Sequence, residues 1–153
     1  MQRPQLSLKG RALRYLSQRE HSRAELERKL AKHAEEPAEV ARVLDELQAR
    51  GFIDHQRVAE SVAHRKAGKL GGLRIQQELQ AKGLEAALVR ATLASLKDTE
   101  AARAREVWQR RFGSAAKDAH ERARQARFLA ARGFTAEVIA KTLRAGGQDG
   151  EDA

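Results

Sequence analysis

The residues able to do chemistry in this chain are scattered. Five histidines (His21, His33, His55, His64 and His120) share no i, i+4 spacing and stand beside no carboxylates at metal-ligand spacing. Glu35-Glu36 and Asp45-Glu46 are sequence neighbours, and neighbours on a helix diverge in direction, so neither makes an acid/base dyad. There is no cysteine, which excludes thiolate nucleophiles, disulfides and Cys-ligated metals. No base can be paired with any Ser or Thr from the sequence. The pattern predicts no catalytic residues, no cofactor and no metal site.

Charge carries more information. Thirty Lys and Arg stand against 21 Asp and Glu, a net charge of +9 with a pI near 10.5. Between Ala101 and Arg132 nine cations face three acids, and between His64 and Lys82 five (Arg65, Lys66, Lys69, Arg74, Lys82) face Glu78 alone. Two such stretches in one basic chain predict an anionic partner, either nucleic acid or an acidic protein surface. Aromatic residues do not interleave with this charge along the chain, which argues against a base-stacking platform. Trp108, Phe112, Phe128 and Phe134 read as core residues instead. Gly68-Lys69-Leu70-Gly71-Gly72 precedes a helix but lacks the Gly-Lys-Ser/Thr ending of a nucleotide-binding loop. It reads as a permissive turn, with a backbone contact to phosphate left open because Lys66, Lys69 and Arg74 flank it.

The elements that must position these cations are helical. Alanine supplies 29 residues, Val and Ile only ten, and aromatics 4%, a composition that favours helices sharing a thin core. That favours an elongated array over a deep globule. The 153 residues repeat themselves. Leu26, Leu30, Val40, Leu44 and Leu47 recur 49 residues later as Ile75, Leu79, Val89, Leu93 and Leu96. Leu79 through Leu84 recur 50 residues later as Leu129 through Phe134. Ser22-Arg23-Ala24-Glu25 forms a capping box, Pro37 suits a first helical turn, and Asp54 is a good N-cap.

These signals predict an all-α chain of three tandem three-helix repeats over residues 8–53, 54–97 and 98–144, followed by a disordered acidic tail over 145–153. No apolar run approaches the roughly 18 residues of a membrane span, and the amino terminus opens no signal-peptide-like stretch. A cytoplasmic monomer is expected.

These residues resemble the RecX family of bacterial regulators of the RecA recombinase. The resemblance starts with Ala12 through Leu16, Arg19-Glu20-His21-Ser22, Glu25-Leu26 and Lys29-Leu30. Gly51-Phe52-Ile53-Asp54 and Arg57 continue it. The most specific segment runs from Arg65 to Gly83, with Gly71, Arg74-Ile75, Glu78-Leu79 and Lys82-Gly83. Arg127-Phe128-Leu129 and Arg132-Gly133-Phe134 close it, so that it spans roughly residues 10 to 144. Val58 and Val62 stand where the family usually has bulky aromatics.

The resemblance implies a curved array that lodges in the helical groove of the RecA–single-stranded DNA filament. Such proteins are not enzymes; they block filament extension or favour disassembly, restraining strand exchange and the co-protease function of RecA. The implied partners are RecA and its filaments, with weak direct DNA binding besides. Arg65, Lys66, Lys69, Arg74, Lys82, Arg127 and Arg132 are the expected contact residues. Those of the second repeat fall on a helix end, a turn and the next helix, so several can converge on one surface. The alternative is a stand-alone basic helical DNA-binding protein; against it, the third helix of the first repeat exposes mixed charge (Arg42, Asp45, Glu46, Arg50).

Overall fold

The computed structural model describes residues 5–151, with side chains through Gly147, and the chain is all-helical. Among the described residues nine helices follow one another in three sets. The first holds α1 (Leu8–Gln18), α2 (Arg23–Ala31) and α3 (Pro37–Ala49). The second holds α4 (His55–Lys66), α5 (Gly72–Ala81) and α6 (Ala86–Lys97). The third holds α7 (Glu100–Arg111), α8 (Ala119–Ala131) and α9 (Ala136–Glu151). The local signals act as read. Ser22 Oγ accepts from the Glu25 N–H at 3.2 Å while the Ser22 N–H donates to Glu25 Oε1 at 3.1 Å, closing the capping box. Pro37 sits in the first turn of α3, and Asp54 accepts from the Arg57 N–H at 3.1 Å. Asp118 caps α8 in the same way through the Glu121 N–H.

Each set closes its own small core. Ala12, Leu26, Leu30, Val40, Leu44, Leu47 and Ile53 form the first; Val58, Ala59, Val62, Leu70, Ile75, Leu79, Leu84 and Val89 form the second. The third contains Ala104, Val107, Trp108, Leu129, Phe134, Ile139 and Leu143. The repeat register holds at its buried positions: Leu26 and Leu30 correspond to Ile75 and Leu79, all fully buried. At the next copy Gln125 replaces Ile75. It is buried too, and its carbonyl accepts from Trp108 Nε1 at 2.9 Å while its amide donates to the Ser114 carbonyl. A buried amide so satisfied avoids the penalty of an orphaned polar group.

The extensive helix packing lies within the sets, which meet mainly through helix ends and turns. At the second junction the N-terminus of α5 lies on the C-terminus of α8. The Gly71 N–H donates to the Arg132 carbonyl at 2.8 Å and the Leu73 N–H to the Gly133 carbonyl at 3.0 Å. A Cβ on Gly71 would stand 2.5 Å from the Gly133 oxygen, and Gly133 itself has φ +93°. Glu100 accepts from the Gly72 N–H at 2.9 Å, and Arg103 donates to the carbonyls of Ala67, Leu70 and Leu96. The donors at the start of α5 are therefore occupied, and the phosphate-gripping role left open for the glycine turn does not arise. The first junction repeats the arrangement: Ala24 near the start of α2 lies against Gly83 (φ +73°) at the end of α5, and Arg28 donates to the Ala81 carbonyl.

One expectation is overturned. Disorder is predicted from Ala145 onward, but α9 continues to Glu151. Gly146 is buried against the Trp108 indole, where a Cβ would stand 2.7 Å from Cη2. Lacking a side chain, Gly146 lets α9 lie on the ring, and the helix runs past the point where composition suggests a stop. Residues 152 and 153 of the expected tail lie outside the described residues.

Leu79→Ala should lower the unfolding free energy by about 2–5 kcal/mol in urea denaturation. Gly71→Ala keeps an accessible backbone conformation but forces the second junction apart. It should cost about 1–3 kcal/mol and speed hydrogen exchange at the Leu73 amide.

Candidate functional site

The cations gather at the two junctions. At the first, the α1–α2 turn brings Arg19 and His21 to the start of α2, beside the end of α5. Glu25 is buried there and accepts from Arg19 Nη2 at 2.7 Å, the Ser22 N–H at 3.1 Å and Lys82 Nζ at 3.0 Å. Burial alone would raise its carboxyl pKa; the bonds from Arg19, Ser22 and Lys82 outweigh it and hold the group at about 2. His21 is buried beside it and its pKa is lowered, first by burial; the Arg19 carbonyl opposes this, while the charges of Arg19 and Lys29 add to it. The ring is thus neutral, its Nδ1–H donating to the Arg19 carbonyl (3.0 Å) and its Nε2 accepting from Lys29 Nζ (2.9 Å). Arg57 ties Glu20 and the Gly51 carbonyl to α4. Above this network lies a cleft of about 370 Å³ lined by Arg19, Glu25, Arg28, Arg65, Lys66, Glu78, Ala81 and Lys82.

The second junction carries a cleft of about 380 Å³ lined by Gly68, Lys69, Val107, Arg110, Arg111, Phe128 and Arg132. No carboxylate lines it. Phe112 and Phe128 stand edge to face, centroids 5.4 Å apart, both half-buried against the third core. Guanidinium groups lie over the rings. Arg111 lies 5.6 and 5.5 Å from the two ring centroids, Arg124 5.8 Å from that of Phe112, and Arg132 5.0 Å from that of Phe128. Such contacts orient a guanidinium by its face and leave its N–H edge to meet an anion. Among the described residues only Arg110 of the lining cations pairs with a carboxylate, Glu106 on its own helix at 3.7 Å.

The contact residues expected from the sequence do not form one surface. Arg65, Lys66 and Lys82 share the first cleft, whereas Lys69 and Arg132 share the second. Lys82 is bound to Glu25, and Lys66 lies 3.8 Å from Glu78. Arg74 is in neither cleft: its guanidinium donates to the Ala131 carbonyl at 2.8 Å, across the second junction. Arg127 lies apart, with Arg122, on an alanine-lined trough between α8 and α9. Arg110, Arg111, Arg124 and the two phenylalanines escape the sequence reading, which assigns Phe112 and Phe128 to the core and sees no aromatics among the cations. They are 16 residues apart in sequence and meet only when α7 packs on α8. A 45-residue offset would have exposed the arginines, since Ala59, Val62, Arg65 and Lys66 at the end of α4 match Ala104, Val107, Arg110 and Arg111 at the end of α7.

Comparison with known proteins follows the same three-part division. Residues 9–47 match the first three-helix domain of RecX, 54–93 the second and 98–143 the third. The chain belongs to the RecX family. It is 58% identical to the regulatory protein RecX of Leptothrix cholodnii over 93% of this chain and 90% of that protein. To the regulatory protein RecX of Herminiimonas arsenicoxydans it is 48% identical over 95% and 96%. A crystal structure of RecX from Lactobacillus salivarius superposes with a TM-score of 0.71 at 19% identity, covering 90% of this chain and 93% of that one. Another RecX crystal structure superposes with a TM-score of 0.76 over 88% and 70%. RecX proteins are regulatory and not enzymatic. In this RecX chain the Arg-Glu-His-Ser segment at 19–22 builds the buried network of the first junction. Among the described residues no helix is long and apolar enough to cross a membrane.

The buried pair sets a pH dependence. Glu25 has a folded pKa below its ordinary value, so its stabilisation is complete above about pH 4.5 and is lost as pH falls towards 2. His21, also depressed, makes the unfolded chain bind a proton first as pH falls below 6.5. The unfolding free energy should decline from about pH 6.5 downward, more steeply below 4.5. Glu25→Gln should cost about 1–3 kcal/mol at pH 7 and flatten the lower limb of a urea-midpoint profile.

Proposed function

We propose that this chain restrains RecA in the cytoplasm, acting as a monomer lodged in the groove of the RecA–single-stranded DNA filament. It blocks filament extension or promotes disassembly, and so limits strand exchange and the co-protease function. Membership of the RecX family supports this reading, and the second junction cleft supplies the surface. The observation that carries it is the convergence of Lys69, Arg110, Arg111 and Arg132 with no carboxylate in the lining. An elongated body with such a cleft between two of its units can reach into a groove and meet polyanion there. Arg127 and Arg122 extend the same sign of charge along α8, whereas Lys66 and Lys82 are matched by Glu78 and Glu25. Arg74 acts on the junction, not on the partner.

The test is inhibition of ATP hydrolysis by preformed RecA–single-stranded DNA filaments. The Lys69→Ala/Arg111→Ala/Arg132→Ala variant should keep its helicity by circular dichroism. Its inhibition should weaken at least about tenfold, or 1.4 kcal/mol, and become less dependent on salt. Undiminished inhibition by the folded variant would remove the cleft from the mechanism.

A further inference from the structure

The two junction clefts occupy equivalent places in the repeat. Arg65 and Lys66, the last two residues but for the cap in α4, correspond to Arg110 and Arg111 at the end of α7. Lys82 after α5 corresponds to Arg132 after α8, and the preceding unit contributes the turn between its first two helices, Arg19 in one cleft and Lys69 in the other. Two positions differ in kind. Glu78 in the first cleft is replaced by Phe128 in the second, and Glu25, which holds Lys82, is replaced in the repeat register by Arg74. The first cleft therefore answers its cations from within: Lys66 faces Glu78, Arg19 and Lys82 bind Glu25, and Arg28 donates to the Ala81 carbonyl. In the second cleft Arg132 has no acid to meet and turns onto Phe128.

We propose that the two junction clefts are copies of one phosphate-backbone site, the second open to single-stranded nucleic acid and the first closed by the chain's own carboxylates, with Glu78 as the closing residue. The inference rests on the preceding reading for the second cleft being the working surface, and it concerns binding by this chain alone. The choice of nucleic acid over an acidic protein follows from the lining. Arginine forks match phosphate oxygens in two-point contacts. The guanidinium planes laid over the half-buried Phe128 ring offer flat outer faces on which unpaired bases stack irrespective of sequence. A carboxylate-bearing peptide has no use for those faces.

The experiment follows fluorescence anisotropy of labelled oligothymidylate of roughly 20 nucleotides, longer than one such site, with no RecA present. The parent chain should bind with a clear salt dependence, and Lys69→Ala/Arg111→Ala/Arg132→Ala should weaken binding by about tenfold. Adding Glu78→Gln to that triple variant should recover at least about threefold by releasing Lys66 beside Arg65, and Glu78→Phe, the residue of the second cleft, should do the same. A triple variant that binds as the parent does overturns the proposal, as does failure of both Glu78 variants to restore binding. Displacement by polyglutamate at equal charge would show a site for acidic protein and overturn it too. The two readings separate cleanly. Filament inhibition lost by the triple variant with oligothymidylate binding intact leaves the proposed function standing and removes this inference; the converse does the opposite.

Discussion

At both junctions a helix beginning is laid on a helix end, closer than side chains permit. Gly71 and Gly133 bring two backbones within hydrogen-bonding distance at the second junction, and Gly83 admits the Ala24 side chain at the first. At the second junction the free N–H groups of α5 are answered by carbonyls after α8, as unsatisfied groups at helix termini require; at the first, α2 is met by its own capping box and Arg28 answers the Ala81 carbonyl. Each unit has only a small core of its own, rich in alanine, leucine and valine. The order of the array, and the shape of everything between units, depends on these backbone contacts.

The same contacts divide the cations into two populations. Arg28, Arg74 and Arg103 reach the carbonyls that helix ends leave open, and Lys82 reaches a carboxylate whose pKa burial alone would raise. An arginine in this role satisfies several acceptors from one rigid fork. The remainder, Lys69 with Arg111, Arg124 and Arg132, lies on the outer side of the second junction, steadied by aromatic faces. A strongly basic chain thus keeps part of its charge for itself, and what it offers a partner is narrower than its net charge suggests.

Repetition explains how one junction came to differ from the other. Exchanging Glu25 for Arg74 and Glu78 for Phe128 at equivalent positions leaves the order of the helices alike, while among the described residues backbone hydrogen bonds cross only the second junction. It changes the answer given to the cation after the second helix. With an acid present, Lys82 turns inward and the network around His21 and Ser22 closes over it. Without one, Arg132 lies on a ring. The third unit also exchanges an apolar core position for Gln125, and the Trp108 indole and the Ser114 carbonyl make that tolerable.

Helix positions, caps, the threefold register and the buried leucines are legible in the sequence because each depends on residues within a turn or two of one another. Ser22 with Glu25, Pro37, Asp54 and the Leu26–Ile75 correspondence need no partner from elsewhere. The family motifs were legible for the same reason, as short runs in fixed order. The site was legible only in its sign: a basic second and third repeat announced an anionic partner, but not which cations would meet. Arg74 lies near Lys69 in sequence yet works across the junction, 57 residues from the Ala131 carbonyl it binds. Arg111 and Phe128 look unrelated until α7 packs on α8. The end of α9 went unread because composition alone could not place Gly146 against Trp108. Local periodicity determines helices; only the close approach of distant helix ends decides which charges are answered within the chain and which face outward.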